Sequence, residues 1–477
     1  MGERSYSLRS VKRPGHRQPG SGWFTLPVAP ATILIYALLL PPELHIFIGP
    51  LRIGAYRLAL IGLSPIIIMA LLNGKSRLGM PDFLLMAVAF WMPLSFTINY
   101  TLPIGLEAGG SQSLDMLLAW LIGRTTIHKP DDLRRVLRQS MPGFVLATGF
   151  LLIESVTHHL YVRQTLQNLL GGAGETGSEL RMEYRAGLLR AYSVFIHPIH
   201  AGIISASLLP LFALLFRDLK ARLAGIAMSV CGLFSLSSAA VVGMIFYLAL
   251  FACEFIQRRT YRPVWPIVLA GGATILLMIQ MISGNGVIPL IYRYLTFNPA
   301  TGHFRMLIWE YAGAEALRNP WFGIGYEQYT RPIWMRANSV DAHYLSMAVK
   351  YGLVPSLLYL LLAISIVVLL ALRVGAARTL SMRNAYFALT CSIAVTLVLM
   401  FTVTFWGATL AWFNLLLGFS LSIALYHPRR QSRHSAARKP MPPRASHAPV
   451  SGYEPAARSY RPSLARPVWK RHRKTRS

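Results

Sequence analysis

Charged side chains are scarce in this 477-residue chain, at 14%, whereas an ordinary soluble domain has roughly 25%. Acidic residues are the scarcest, with 18 Asp and Glu against 47 Lys and Arg. The three cysteines all lie inside apolar runs, so neither a disulfide framework nor a cysteine metal site is indicated. With 54% hydrophobic residues and a mean hydropathy of +0.45, the composition argues against a soluble enzyme and against a disordered chain. It favours a polytopic membrane protein.

Apolar runs recur along the chain, and a helix that spans a membrane needs about 20 mostly apolar residues. The stretch 223–256 is too long for one span, so we divide it at the small polar turn around Ser237. The sequence then predicts an all-α polytopic membrane protein with twelve transmembrane helices and a small helical subdomain outside the membrane. The predicted spans are 26–46, 56–73, 80–98, 107–127, 141–157, 195–216, 223–238, 240–256, 264–282, 345–372, 385–403 and 408–426.

Basic residues predict the orientation, because cytoplasmic loops carry an excess of Lys and Arg. With a cytoplasmic N-terminus, 35 of the 47 basic residues fall on the cytoplasmic side and 12 on the other. The positive charge is therefore a topology signal and does not indicate nucleic acid. We expect both termini in the cytoplasm, a basic tail over 1–25, a membrane domain over 26–426 and a disordered basic tail over 427–477 that can adhere to anionic lipid.

Two long external loops, 158–194 and 283–344, hold nine of the twelve external basic residues, and all nine are arginine. The guanidinium group binds phosphate oxygens with two parallel hydrogen bonds, which an ammonium group cannot do. These loops therefore predict an anionic partner, a diphosphate above all. The alternative is that the arginines pair with nearby glutamates. The nine are Arg163, Arg181, Arg185, Arg190, Arg293, Arg305, Arg318, Arg331 and Arg336, and the glutamates are Glu175, Glu179, Glu183, Glu310 and Glu315.

The second loop contains ordered structure in this interpretation. Residues 304–317 have apolar side chains at helical spacing, Asn319-Pro320 ends that helix, and Gly323-Ile324-Gly325 predicts a turn. Inside the predicted spans, Asp115 and Glu154 are ionisable groups, which are costly in a membrane and often have a function.

The stretches FRMLIWEYAGAEALRNPWFGIGYEQY and SVDAHYLSMAVKYGL resemble the O-antigen ligase and polymerase superfamily, as does RAYSVFIHPIHAGI upstream. These are multi-spanning glycosyltransferases of bacterial surface-polysaccharide assembly. Two positions depart from the family pattern. Asp341 stands where the family often has His, and no Arg follows Ser238 within the membrane. The matching residues are Arg190, His197, Pro198, Gly202, Arg305, Trp309, Asn319, Pro320, Gly323, Gly325, Tyr344, Leu345 and Gly352.

The resemblance implies transfer of a glycan from an undecaprenyl diphosphate carrier to a sugar hydroxyl at the periplasmic face of the inner membrane. Arg185, Arg190 and Arg305 would bind the diphosphate, and Asp341 or His343 would accept the proton of the acceptor hydroxyl. No Asp-x-Asp motif is present, so we expect no metal and no other cofactor. Supporting residues would be Trp309, His197 and Tyr344.

The reaction implied is polymerisation of exopolysaccharide or O-antigen repeat units, with membrane lipid and other polysaccharide assembly and export proteins as further partners. One alternative is a ligase that transfers the glycan to another acceptor. A second alternative, from another class, is a transporter or flippase of polysaccharide intermediates, although we see no internal repeat of the kind that transporters often show. The sugar, the linkage, the control of chain length and the oligomeric state do not follow from the sequence.

Overall fold

The computed structural model describes residues 28–49, 51–74, 78–170, 180, 182–260, 264–282, 299–335 and 339–426. Both predicted tails, 1–25 and 427–477, lie outside these residues. So do Arg181, Arg293, Arg336, Glu175 and Glu179.

The described part of the chain is helical apart from two short antiparallel β-hairpins. The first half contains α1 (Ala29–Leu38), β1 (His45–Ile48), β2 (Leu51–Gly54), α2 (Ala55–Leu72), α3 (Met80–Asn99), α4 (Leu102–Ile104), a π-helix (Gly105–Gly109), α5 (Gly110–Thr126), α6 (Pro130–Thr157), α7 (Tyr161–Leu169), β3 (Tyr184–Arg185) and β4 (Leu188–Leu189). The second half contains α8 (Pro198–Leu215), α9 (Leu219–Cys231), a 3₁₀ helix (Gly232–Ser235), α10 (Ser238–Thr260), α11 (Val264–Ile282), α12 (Pro299–Arg318), α13 (His343–Tyr351), α14 (Leu353–Ala376), α15 (Leu380–Met400) and α16 (Ala408–Ala424).

Eight of the described helices are long and apolar enough to cross a membrane by length and composition: α2, α3, α6, α8, α10, α11, α14 and α15. Each of the other four predicted runs also contains an α-helix, namely α1, α5, α9 and α16, but these helices have 17 residues or fewer. The chain is therefore a multi-pass membrane protein with at least these eight candidate spans.

Two predicted runs differ from the helices that form. Within 26–46, α1 ends at Leu38 because Pro41 and Pro42 cannot donate the backbone hydrogen bonds that would continue it, and β1 begins at His45. Within 345–372, Gly352 separates α13 from α14 with φ +99, a backbone conformation that side chains other than glycine rarely adopt. The predicted division of 223–256 is confirmed, since α9 and α10 are separated by the 3₁₀ helix and by Leu236 in a left-handed conformation.

The core of the membrane domain is built around α8, α15 and α16, whose residues are mostly buried. Helix α16 packs closely against α5 because Gly123 and Gly418 face one another. A Cβ on Gly418 would lie 2.4 Å from the backbone oxygen of Trp120. Small residues allow membrane helices to approach in this way. The N-terminus of α8 lies at the site described next.

Candidate functional site

The β3–β4 hairpin positions two of the predicted arginines. Its strands pair Arg185 with Leu188, and the two residues between them, Ala186 and Gly187, both have positive φ. This is the backbone conformation of a type I′ turn, whose twist matches that of the flanking strands. The N–H of Arg190 donates to the backbone oxygen of Glu183 at 2.8 Å, so the ladder continues one residue beyond β4. Arg185 and Arg190 therefore belong to one compact unit.

Glu183 pairs with both of these arginines. Nη1 of Arg190 lies 2.7 Å from Oε2 of Glu183, and Nη2 of Arg185 lies 4.0 Å from the same oxygen. Burial raises the pKa of the Glu183 carboxyl, but the hydrogen bond and charge of Arg190 outweigh burial, so this pKa lies below its ordinary value. Pairing with a nearby glutamate, the alternative to binding an anionic partner, thus accounts for one side of the Arg190 guanidinium group. Nε of Arg190 is buried and has no hydrogen-bond partner among the described residues.

His197 caps the N-terminus of α8. Its Nδ1 accepts a hydrogen bond from the N–H of Ile199 at 3.2 Å, and Pro198 follows at the first helical position. Burial and then the charge of Arg190 lower the pKa of His197 to about 4, so the ring is neutral at pH 7. Because an N-terminus carries a partial positive charge, this end of α8 adds to the attraction that the arginines exert on an anion.

Arg305 and Asp341 face each other across the same region. Nε of Arg305 lies 3.8 Å from Oδ2 of Asp341, which is an ion pair too long for a hydrogen bond. Nε of Arg305 is buried without a hydrogen-bond partner in the described part of the chain. Burial raises the pKa of the Asp341 carboxyl more than Arg305 lowers it. Burial, and then the charges of Arg190 and Arg305, lower the pKa of Arg185, so the three arginines are near enough to repel one another.

Three arginines thus stand against two carboxylates, Glu183 and Asp341, and the cluster keeps a positive charge. The structure brings together residues about 120 positions apart in the sequence. A cavity of about 380 Å³ opens beside the cluster. Its lining includes His197, Arg305, Tyr326, Glu327, Tyr329, Asp341, Lys350, Thr404 and Trp406. Arg185 and Arg190 do not contribute to this lining, and they adjoin it through His197.

The glycine turn of the second loop holds one wall of this cavity. The N–H groups of Ile324 and Gly325 donate to the backbone oxygens of Val349 and Lys350 at 2.8 and 3.1 Å. A Cβ on Gly323 would lie 2.4 Å from the oxygen of Val349, so only glycine permits this approach. The glycines of the family-like motif therefore fasten the loop to α13, and this places Tyr326 and Tyr329 in the cavity wall.

The structure places His343 away from the cavity lining. Its Nδ1 accepts a hydrogen bond from the N–H of Phe405 at 3.2 Å, and its ring packs against Phe405 and Tyr359. Burial and then the charge of Lys350 lower its pKa to about 3, which is far from the ideal for a general base at neutral pH. Of the two residues predicted as a base, Asp341 lines the cavity and His343 does not.

The other two supporting residues also serve packing. The hydroxyl of Tyr344 donates to Sδ of Met400 at 3.4 Å, and the ring lies against Phe401. Trp309 is half-buried and packs on the small cluster between α12 and α13, which includes Ile308 and Ala312. Neither residue lines the cavity.

Three further external arginines are held by local partners. Arg163 pairs with Glu43 at 2.7 Å, and both side chains are fully buried. Arg318 pairs with Glu315 at 3.3 Å at the end of α12. Arg331 donates to the backbone oxygen of Met335 at 2.9 Å. The clustering of arginines in the sequence therefore overstates the number that face the cavity.

Glu154 has a role that the sequence did not reveal. Its Oε2 accepts hydrogen bonds from the N–H groups of Tyr192 and Ser193 at 3.1 and 2.7 Å, and its Oε1 accepts one from Val162 at 3.1 Å. Ser193 has φ +49, a conformation unusual for serine. The buried carboxylate thus holds the segment between Arg190 and His197. Only its position within an apolar run signalled it.

Asp115 lies at a second cavity of about 300 Å³. Arg57 donates to it through Nε and Nη2, and the hydroxyl of Tyr56 donates to it at 2.9 Å. Trp406 belongs to the walls of both cavities and lies against His200, with ring centroids 4.0 Å apart. The ionisable group in this span is therefore neutralised by a partner from α2.

These features define a multi-pass membrane protein with a cavity that, among the described residues, is lined by the ion pair Arg305–Asp341 and adjoined by Arg185 and Arg190. Among the described residues, no group of three or more His, Cys, Asp and Glu is arranged to hold a metal ion. Comparison with models of known protein families and with curated proteins finds no match to this chain.

Proposed function

We propose that this protein is a glycosyltransferase that polymerises polysaccharide repeat units carried on undecaprenyl diphosphate, at the periplasmic face of the bacterial inner membrane. The observation that supports this most strongly is a cavity lined by Arg305 and Asp341, with Arg185 and Arg190 close to it on the β3–β4 hairpin. The proposal includes twelve membrane crossings, the four shorter helices among them, with both termini in the cytoplasm.

In this reaction the oxygen of a sugar hydroxyl on the acceptor attacks the anomeric carbon of the donor glycan. The bond between that carbon and the diphosphate oxygen breaks, and the diphosphate leaves with the electron pair. Asp341 accepts the hydroxyl proton. The arginines stabilise the charge that develops on the leaving group, as preorganised donors do in other enzymes, where one donor contributes roughly 3–4 kcal/mol.

Arg305 links the two halves of this chemistry. Because it faces Asp341 at 3.8 Å, it holds the carboxylate close to the place where the leaving group would bind. A diphosphate that takes up the Arg305 guanidinium would weaken the ion pair and thereby make Asp341 a stronger proton acceptor. Binding of the donor would in this way prepare the base.

Incubation of the purified protein with a repeat unit on undecaprenyl diphosphate tests the proposal. We expect a ladder of glycan lengths, and we expect it to persist in EDTA because the arginines take the place of a metal. Asp341→Asn should abolish the ladder while donor binding stays nearly unchanged, since the carboxylate is a base and not a phosphate ligand.

Each other outcome contradicts a part of the proposal. A single addition to a different acceptor would indicate a ligase, and no transfer under any condition would contradict the enzyme. Loss of turnover in EDTA that Mg²⁺ restores would show that the arginines do not replace a metal. Wild-type transfer by Asp341→Asn would remove this residue from the reaction.

A further inference from the structure

Lys350 is a cation in the cavity wall that the sequence analysis did not include among the site residues. It lies near the end of α13, and its backbone oxygen accepts the hydrogen bond from Gly325 that fastens the glycine turn. Its Nζ lies 5.6 Å from the ring centroid of Tyr326. Among the described residues no carboxylate lies within 4.0 Å of this ammonium group, although the exposed Glu327 lines the same cavity.

A half-buried cation without a carboxylate partner is costly, and such groups usually meet an anion. Two further donors of the cavity wall lack a hydrogen-bond partner among the described residues. The hydroxyl of Tyr329 is buried and has no hydrogen-bond partner in the described part of the chain, and the same holds for Nε of Arg305. The cavity therefore presents several hydrogen-bond donors that a bound ligand can satisfy.

Lys350 belongs to a different part of the cavity from the arginine cluster. Its ammonium group lies beside the ring of Tyr326 and its backbone oxygen holds the glycine turn, whereas Arg305 faces Asp341. Tyr326 lies beside Lys350 and Tyr329 lines the same cavity, and each combines an apolar ring with a polar tip. Such surfaces suit a sugar ring better than a diphosphate.

We propose that Lys350 and Tyr329 bind a carboxylate borne by a sugar of the repeat unit, so that the substrate of this protein is an acidic glycan. The inference rests on the proposed function for the role of that glycan as a substrate. A lysine suits this ligand because an ammonium group is a point charge that tolerates several orientations of a carboxylate, while the forked arginines suit the diphosphate.

Binding of free oligosaccharides tests the inference without the lipid carrier and without transfer. The two probes are an oligosaccharide that contains glucuronic acid and its carboxyl-reduced counterpart, in which glucose replaces that sugar. With purified full-length protein in detergent, we expect the acidic probe to bind about tenfold more tightly, as a charge-assisted hydrogen bond provides.

Four variants identify the source of this preference. Lys350→Met should remove it, and Lys350→Arg should keep most of it because the charge remains. Lys220→Met is the matched control, since Lys220 is exposed at the start of α9 and does not line the cavity. Glu327→Gln should keep the preference, because Glu327 does not pair with Lys350.

Several results would overturn the inference. They are equal binding of the two probes by the wild type, a preference that survives in Lys350→Met, and equal weakening of both probes by Lys350→Met. The last result would assign Lys350 a structural role. A preference that depends on Lys350 in a protein that fails to transfer glycan would support the acidic ligand and contradict the glycosyltransferase, so the two failures are distinguishable.

Discussion

Arg190 and Arg305 illustrate, at the scale of single residues, two ways in which a protein holds a buried guanidinium group in place. Arg190 is fixed by a 2.7 Å ion pair with Glu183, while Arg305 faces Asp341 at 3.8 Å without a hydrogen bond. Both leave a buried Nε without a partner among the described residues. An unsatisfied buried donor costs about 1–3 kcal/mol, which a bound phosphate oxygen would recover.

Substitution of Arg305 by lysine keeps the charge and loses the two parallel hydrogen bonds that a guanidinium group can donate. We expect Arg305→Lys to lower glycan transfer by roughly tenfold to a hundredfold, because one preorganised donor to the leaving group is lost. Single-turnover transfer on folded protein measures the effect. Arg318→Lys is the control, since Arg318 lies on the same helix and pairs with Glu315 away from the cavity. Equal rates for the two variants would remove Arg305 from the site.

The sequence predicted the residues of this cluster better than their partners. Basic residues are depleted on the outer side of a membrane, so nine arginines stood out in the sequence, and the family resemblance put Arg190, Arg305 and then Arg185 first among them. Which carboxylate meets each arginine depends on how distant loops pack. The sequence therefore left Glu183 as one of five candidate partners, and Lys350 was hidden inside a predicted span.

At the scale of elements, the segment from β4 to α8 depends on a helix that carries no predicted site residue. Glu154 of α6 accepts hydrogen bonds from the N–H groups of Tyr192 and Ser193. It thereby fixes the backbone between Arg190 and His197. Tertiary bonds of this kind follow no periodic pattern. The helical elements themselves were predictable from apolar runs, and the ends of α1 and α13 were not, because proline and glycine overrode hydropathy there.

The contribution of the hydrogen bonds to Glu154 is testable. Glu154→Gln replaces one accepting oxygen by an NH₂ group that faces backbone donors. We expect a loss of stability of about 1–3 kcal/mol and a lower rate of transfer, as the arginine hairpin loses its support. Thermal unfolding in detergent measures the first effect. Glu310→Gln, an exposed position on α12, serves as the control. An unfolding temperature like that of the wild type would show that Glu154 does not stabilise this segment.

For the whole molecule, the division of basic residues and the positions of the candidate spans lead to one topology. Eight described helices meet the length and hydropathy of a span, and four shorter ones complete the predicted twelve. Length alone does not decide whether the short helices cross, because a bilayer can thin locally or a helix can be covered by its neighbours. Helix α16 is covered by a neighbour in this way, because it packs closely against α5.

Reporter insertions test this topology. Alkaline phosphatase placed after Ser477 should be inactive, because the C-terminus is expected in the cytoplasm, and the same reporter inserted within the loop 158–194 should be active. The 35-to-12 division of basic residues is the physical reason. Activity after Ser477 would contradict the even number of crossings, and inactivity in the loop would place the arginine cluster on the wrong side for the proposed donor.

Trp406 lies in the walls of both cavities. A ligand that displaced this indole from one side would change the space available on the other, and occupancy of the two cavities would then be thermodynamically linked through a single side chain. Such linkage is reciprocal: if a ligand in the Asp115 cavity weakens binding beside Asp341 by some factor, the second ligand weakens the first by the same factor.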